Sequence, residues 1–423
     1  MSASMGQYQS EMEVSYAVDF GRDRESVQKR SRHPDYRRKG SAPARVNGMH
    51  CRRNKRWTWG SGRGARMTNL RAFAGCLALA VAGLASGALA APVSFNFQTI
   101  GNPGNPGNTT SGTSGPSNPS GLGAVSGVFK LADKETTNAQ YVAFLNAVDP
   151  NGTNPRGIYT ASGPNGGIQL TGTAATGAKY SLKTGTPPSG TASSYGTMPV
   201  NFVSWFSAAR FVNWLENGMQ TGTSAAATMD FGVYTLGSAT NGNVVARNAG
   251  TQYWLPSVDE WYKAAYYNGS SSQYTLYQTN SNATPTATVT NFALANAGNF
   301  ATGPSSPGPG PVSVGSYTNA STSSYQLYDM LGNVAEITDR GLAGTFGTYR
   351  AMGGNYGSEL AALDAKSAPA FNGTTAISPG IGFRVAAVPE PGTIALAGVG
   401  IAGLAGLDWM KRRKKRAAAR SAA

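Results

Sequence analysis

The thirteen residues YDMLGNVAEITDR, Tyr328–Arg340, gather two carboxylates, a Gly-Asn pair and an Asp-Arg pair in a chain that is only 13% charged. The residues alone leave three readings open. The stretch is a catalytic constellation, a metal loop whose Gly332-Asn333 turn aims carbonyls inward, or a capped turn. In the third reading Asp329 caps the turn and Glu336 pairs with Arg340 at helical spacing.

The charge of the 423-residue chain is +15, but it is not spread evenly. Residues 1–91 hold 16 Lys or Arg against 6 Asp or Glu, residues 92–391 hold 12 against 13, and residues 392–423 hold 7 against 1. Two basic tails around a near-neutral middle read as targeting signals, and no nucleic-acid partner is expected. From Met67 the sequence MTNLRAFAGCLALAVAGLASGALAAP sets Arg71 before an apolar run, Ala72–Leu89, with small residues at 88–90 for a signal peptidase. Residues 67–91 therefore read as a signal peptide. Residues 1–66 show no sustained apolar period and read as a disordered extension or as sequence ahead of a true start at Met67.

Both cysteines, Cys51 and Cys76, and both histidines, His33 and His50, lie upstream of that cleavage site. A mature chain without Cys or His has no disulfide, thiol nucleophile or Ser-His-Asp triad. It also lacks the soft and imidazole ligands favoured by zinc, copper and iron. Residues 92–124, with NPGNPGNTTSGTSGPSNPSGLGA at 102–124, have linker composition, and TGPSSPGPGP at 302–311 is a second such segment. One domain is expected over 125–387.

Three helices are predicted inside it. Tyr141, Phe144, Leu145 and Val148 share one face after a cap at Thr136 or Thr137. Trp205, Ala208, Ala209, Val212 and Leu215 form a stripe after Ser204, and Ser257 with Glu260 makes a capping box before a stop at Asn268-Gly269. The remainder, Gly- and Asn-rich with short apolar pieces, reads as short strands and long loops. At the C-terminus Pro389-Glu390-Pro391 precedes an apolar run, Thr393–Leu407, and six basic residues, Lys411–Arg416. Fifteen residues span about 22 Å as a helix, short of a hydrocarbon core of about 30 Å, which weighs against a plain tail anchor.

That tripartite pattern over 388–416, with a short tail at 417–423, resembles the PEP-CTERM sorting signal of Gram-negative bacteria. The resemblance implies exosortase-type processing, transient membrane association through the C-terminal helix, and a destination at the cell surface, outer membrane or extracellular matrix. TTNAQYVAFLNAV, MPVNFVSWFSAARFVNWLENG, YWLPSVDEWYKAAYY, YQLYDMLGNVAEITDR, YRAMGGNYGS and GFRVA, in that order, resemble the formylglycine-generating enzyme (sulfatase-modifying factor) family. The likeness implies a compact α+β fold related to C-type lectins, with few helices, short strands and long loops.

Oxidising members of that family hold copper on two cysteines downstream of a Gly-Gly element, and here Ser358 and Leu363 stand roughly at those places. Neither copper nor iron is expected, since a hydroxyl replaces one thiolate and leucine cannot ligate. The family likeness also implies one structural calcium ion, with Asp329 and Glu336 giving carboxylates and Gly332 and Val334 giving carbonyls. Arg384 reads as a structural ion-pair partner. Two function classes follow. The favoured one is an exported, non-redox binding or structural domain for a peptide or carbohydrate, and the other is a divergent enzyme that modifies an exported protein.

Overall fold

A computed structural model of the chain describes residues 93–109, 121–188, 194–303, 308–318, 321–339, 348–365 and 370–389. The signal peptide expected at 67–91, the extension before it, Arg340, and the tail from Glu390 through Pro391 onward lie outside these residues. Among the described residues no helix is long and apolar enough to cross a membrane.

Helix α1 (Asn138–Val148) begins where the Thr137 hydroxyl accepts the Gln140 N–H at 3.2 Å and the Gln140 side chain accepts the Thr137 N–H at 2.8 Å. This capping box satisfies two donors that the first helical turn would otherwise leave open. Ser204 caps α2 (Trp205–Glu216). The short α3 (Thr223–Thr228), absent from the sequence reading, follows it. Helix α4 (Val258–Tyr266) carries the expected Ser257–Glu260 box. It ends at Tyr266 rather than at Asn268, because Tyr267 turns extended and pairs with Tyr274.

Strands β1 (Phe97–Ile100) and β2 (Phe129–Ala132) precede α1, and β3 (Ile168–Leu170) and β4 (Tyr180–Leu182) follow it. Five two-residue strands come next: β5 (Tyr253–Trp254), β6 (Tyr267–Asn268), β7 (Gln273–Tyr274), β8 (Thr286–Ala287) and β9 (Ala297–Gly298). The last are β10 (Ala335–Ile337), β11 (Thr348–Met352), β12 (Ala370–Gly373), β13 (Ile381–Gly382) and β14 (Ala386–Ala387). One antiparallel sheet has the order β1-β2-β14-β5. A second runs β12-β11-β10-β13, with β10 and β13 parallel. The fold is thus α+β with little regular structure, as expected.

Helix α2 departs from a one-sided stripe, since every residue from Trp205 to Leu215 is buried. Its polar positions are absorbed by specific partners. Arg210 Nε lies 2.9 Å from Asp230 Oδ1, and Asn213 Nδ2 donates to the carbonyls of Met229 and Tyr234 at 3.0 and 2.8 Å. Phe211 stands at the centre of an aromatic core, with ring centroids 5.8 Å from Tyr141, 5.5 Å from Phe144 and 5.2 Å from Phe383.

The linker expected at 92–124 is corrected for its described residues, because they are part of the domain. All four residues of β1 pair with β2. Asn105 Nδ2 reaches the Gly123 carbonyl at 2.7 Å and the Tyr274 hydroxyl at 2.8 Å, and Asn108 Nδ2 donates to the Tyr262 hydroxyl at 2.7 Å. Lys263, fully buried on α4, donates its ammonium to the Asn102 carbonyl at 2.9 Å. Small polar residues add little apolar bulk, so composition hides that their amides complete buried hydrogen bonds. Asn105→Ala in a chain beginning at Val93 should lose about 1–3 kcal/mol in urea unfolding. An unchanged midpoint would mean that this segment merely lies on the surface.

Candidate functional site

Strand β10 carries Glu336 into the middle of the second sheet, opposite Met352 on β11 and Gly382 on β13. Two residues beyond β13, Arg384 lays its guanidinium on that carboxylate. Nε lies 3.1 and 3.0 Å from Oε1 and Oε2, and Nη2 lies 2.7 Å from Oε1. From α4, Trp261 Nε1 donates to Oε2 at 2.7 Å. The other Arg384 donors reach the carbonyls of Ala132 at 2.9 Å and Tyr328 at 2.8 Å. Glu336 is 1% exposed and Arg384 0%. The reading of Arg384 as an ion-pair partner therefore holds, and its partner is Glu336.

Asp329, Gly332, Val334 and Glu336 do share one buried loop, but as arranged they do not fit calcium. Both Glu336 oxygens face a guanidinium and an indole N–H, so a cation seated there would stand against Arg384. The Val334 N–H donates to Glu135 Oε1 at 3.2 Å. The Gly332-Asn333 turn is fastened by the Asn333 side chain, whose Nδ2 donates to Glu135 Oε2 at 2.8 Å and whose Oδ1 accepts the Val312 N–H at 2.9 Å. Gly332 has φ +82°, and a Cβ there would fall 2.0 Å from the Asn299 carbonyl oxygen, so the turn needs glycine. Among the described residues no group of three or more His, Cys, Asp or Glu is placed to hold a metal ion. Of the alternative in which Glu336 pairs with Arg340, Arg340 lies outside the described residues, and the partner that Glu336 has among them is Arg384.

Glu135, which the sequence reading passed over, completes a set of three carboxylates around one fully buried guanidinium. Burial first, then Asp329 and Glu336, pushes its carboxyl well above the ordinary range, against the pull of Arg384 and Asn333. Asp329 is pushed up to about 6 by burial, with Glu336 adding, while the Gly315 N–H, Arg384 and Lys134 oppose. Its Oδ2 accepts that N–H at 2.5 Å, and its Oδ1 is buried without a partner.

A cavity of about 310 Å³ opens against the same two strands, β10 and β11. Gly353 and Gly354 form its rim with φ +86° and +65°. A Cβ would come 3.0 Å from Trp261 Cζ2 at Gly353 and 2.0 Å from Leu363 Cδ2 at Gly354. Ser358 lines the cavity, and its Oγ accepts the Asn355 N–H at 2.9 Å. Leu363 is instead buried against Phe300 and Leu331. In the wall, Gln278 Nε2 donates to the Tyr266 hydroxyl at 2.8 Å, and that hydroxyl donates to the Leu363 carbonyl at 3.1 Å. The relay fixes the Gln278 amide and leaves its buried Oε1 without a donor.

Comparison with known proteins adds a family to this geometry. A family model described as the sulfatase-modifying factor enzyme 1-like domain matches residues 105–388, and a PEP-CTERM protein-sorting motif matches residues 387–414. No curated protein matches the chain. Among solved structures, the crystal structure of CarF is similar at 18% identity and TM-score 0.41, covering 70% of this chain and 99% of that one. The variable protein 1 of Treponema denticola is similar at 17% and 0.40, covering 70% and 96%. PvdO from Pseudomonas aeruginosa is similar at 14% and 0.37, covering 70% and 93%.

Removing one member of a buried ion pair leaves the other uncompensated. Glu336→Gln should therefore lose about 3–5 kcal/mol in urea unfolding, because Arg384 loses its counter-charge. Melting of the wild type should be the same in calcium and in chelator, and a clear rise with calcium would restore the ion to the loop. The raised carboxyls set a pH dependence. Asp329 titrates near 6 when folded and near ~3.9 when unfolded. Its contribution is fully present below the lower value and is lost as pH rises through the higher one. The melting temperature should rise as pH falls from about 7 to about 5, and Asp329→Asn should flatten that slope.

Proposed function

Because the chain belongs to the family of sulfatase-modifying factor enzyme 1-like domains, we propose that it is a non-redox member whose cavity binds a ligand at the cell surface or in the extracellular matrix. The PEP-CTERM motif marks an exported, surface-directed protein of a Gram-negative bacterium and implies exosortase-type processing. The observation that carries the non-redox reading is the pair of residues that stand roughly at the places of the family's thiols. Ser358 offers a hydroxyl already engaged with the Asn355 amide, and Leu363 is a buried core residue. A chain so arranged has no thiolate to hold Cu(I) there.

The cavity is suited to recognition. It combines the Tyr262 and Tyr266 rings, 4.7 Å apart, with serine and asparagine side chains and the buried Gln278 oxygen that lacks a donor. A few convergent polar groups in a pocket with aromatic walls are what small-ligand sites use for orientation, and a peptide or a carbohydrate suits such a lining. The domain produced together with a sulfatase-type Cys-x-Pro-x-Arg peptide should leave the peptide mass unchanged. The mass of the aldehyde would overturn the binding reading in favour of a divergent enzyme acting on an exported protein.

A further inference from the structure

The fold and the sorting signal meet without a spacer. Strand β14 lies inside its sheet, with Ala386 opposite Leu131 of β2 and Trp254 of β5, and Ala387 opposite Lys130 and Tyr253. The hydrogen bonds continue on both sides. The Thr136 N–H donates to the Phe383 carbonyl at 3.0 Å, the Ala132 N–H to the Val385 carbonyl at 2.9 Å, and the Val388 N–H to the Gln252 carbonyl at 2.9 Å. Every residue from Ile381 to Ala387 is buried, and exposure begins at Val388, which is 40% exposed. Pro389, the first residue of the triplet, follows immediately. One residue of extended chain is about 3.3 Å long, so the triplet starts within that distance of the last sheet hydrogen bond. The sorting motif itself begins at 387, the second residue of β14.

An enzyme that cuts a peptide holds it extended and pairs with backbone groups on both sides of the scissile bond, as an added strand does. Processing breaks one backbone amide. The acyl carbon passes to a nucleophile, water or an acceptor amine, and the tail leaves with its nitrogen as a free amine. On the N-terminal side of the triplet, the groups such an enzyme needs are already bonded to β2, β5 and Gln252. We infer that docked β14 withholds from such an enzyme the backbone groups that precede Pro389, so that exosortase-type processing acts on the chain before this strand closes into its sheet. A chain that completes its fold first keeps its tail. Processing and the final step of folding are thereby ordered by the register of one two-residue strand.

The test uses the full chain in cells where the processing enzyme is induced late, after a labelled pool has been exported and folded. It compares the wild type with a variant carrying a nine-residue Gly/Ser insertion between Val388 and Pro389. Resistance to added protease reports that both pools are folded. Newly made wild type in the same cells shows that the enzyme is active. The folded insertion variant should be trimmed at least about tenfold faster than folded wild type, whereas newly made chains of both should be trimmed alike. Equal trimming of the two folded pools would overturn the proposal. So would a folded insertion variant that stays intact while new chains are cut, because the block would then not be proximity to the sheet.

Discussion

The Glu336–Arg384 pair is the joint on which the remaining elements meet. It ties β10 to the chain between β13 and β14, reaches α4 through Trp261, and holds β2 and the loop at Tyr328 through their carbonyls. Buried ion pairs are weak sources of net stability, because desolvation offsets most of the Coulombic gain. What this pair supplies is position. Five separate segments have one arrangement that satisfies a guanidinium and a carboxylate together, and most displacements leave a charge without a partner. The cavity inherits that definition, since Ala335 and Met352 flank the pair in register and also line its wall.

A chain with so much loop must fix its loops by some means, and here asparagine amides do much of it. Asn333 binds the turn before β10, Asn213 and Asn217 hold the segment after α3, and Asn105 seats the N-terminal segment. An amide carries two donors and an acceptor, so one side chain can close several backbone groups at once. That is why the loop read as a metal site holds together through Asn333 and Glu135. It also leaves an imbalance, three carboxylates around one guanidinium, that makes the loop sensitive to pH.

The local parts of this architecture were legible in the sequence. Caps at Ser204 and Ser257 announce themselves by spacing, and the first cap was narrowed to Thr136 or Thr137, of which Thr137 is the one used. The partner of Glu336 was not legible, because Arg340 sits at the favourable local spacing and Arg384 lies 48 residues away. Composition failed at residues 93–109 for a related reason. Hydropathy measures what a side chain buries, not which distant hydroxyl or ammonium its amide and carbonyl complete. The whole burial of α2 was equally hidden, since Arg210 and Asn213 look like solvent-facing positions until Asp230 and Tyr234 are placed beside them.

The placement of β14 between β2 and β5 also decides how the domain answers a mechanical load. Any pull entering through the C-terminus acts along this strand. An edge strand peels, opening its hydrogen bonds one after another. An interior strand drawn along its own axis strains the ladders on both sides simultaneously, and just upstream the guanidinium of Arg384 is seated in a carboxylate that belongs to the other sheet. Tension therefore divides between two sheets and two neighbouring strands before any single contact fails. A load applied at this end meets two flanking strands and the other sheet's carboxylate together.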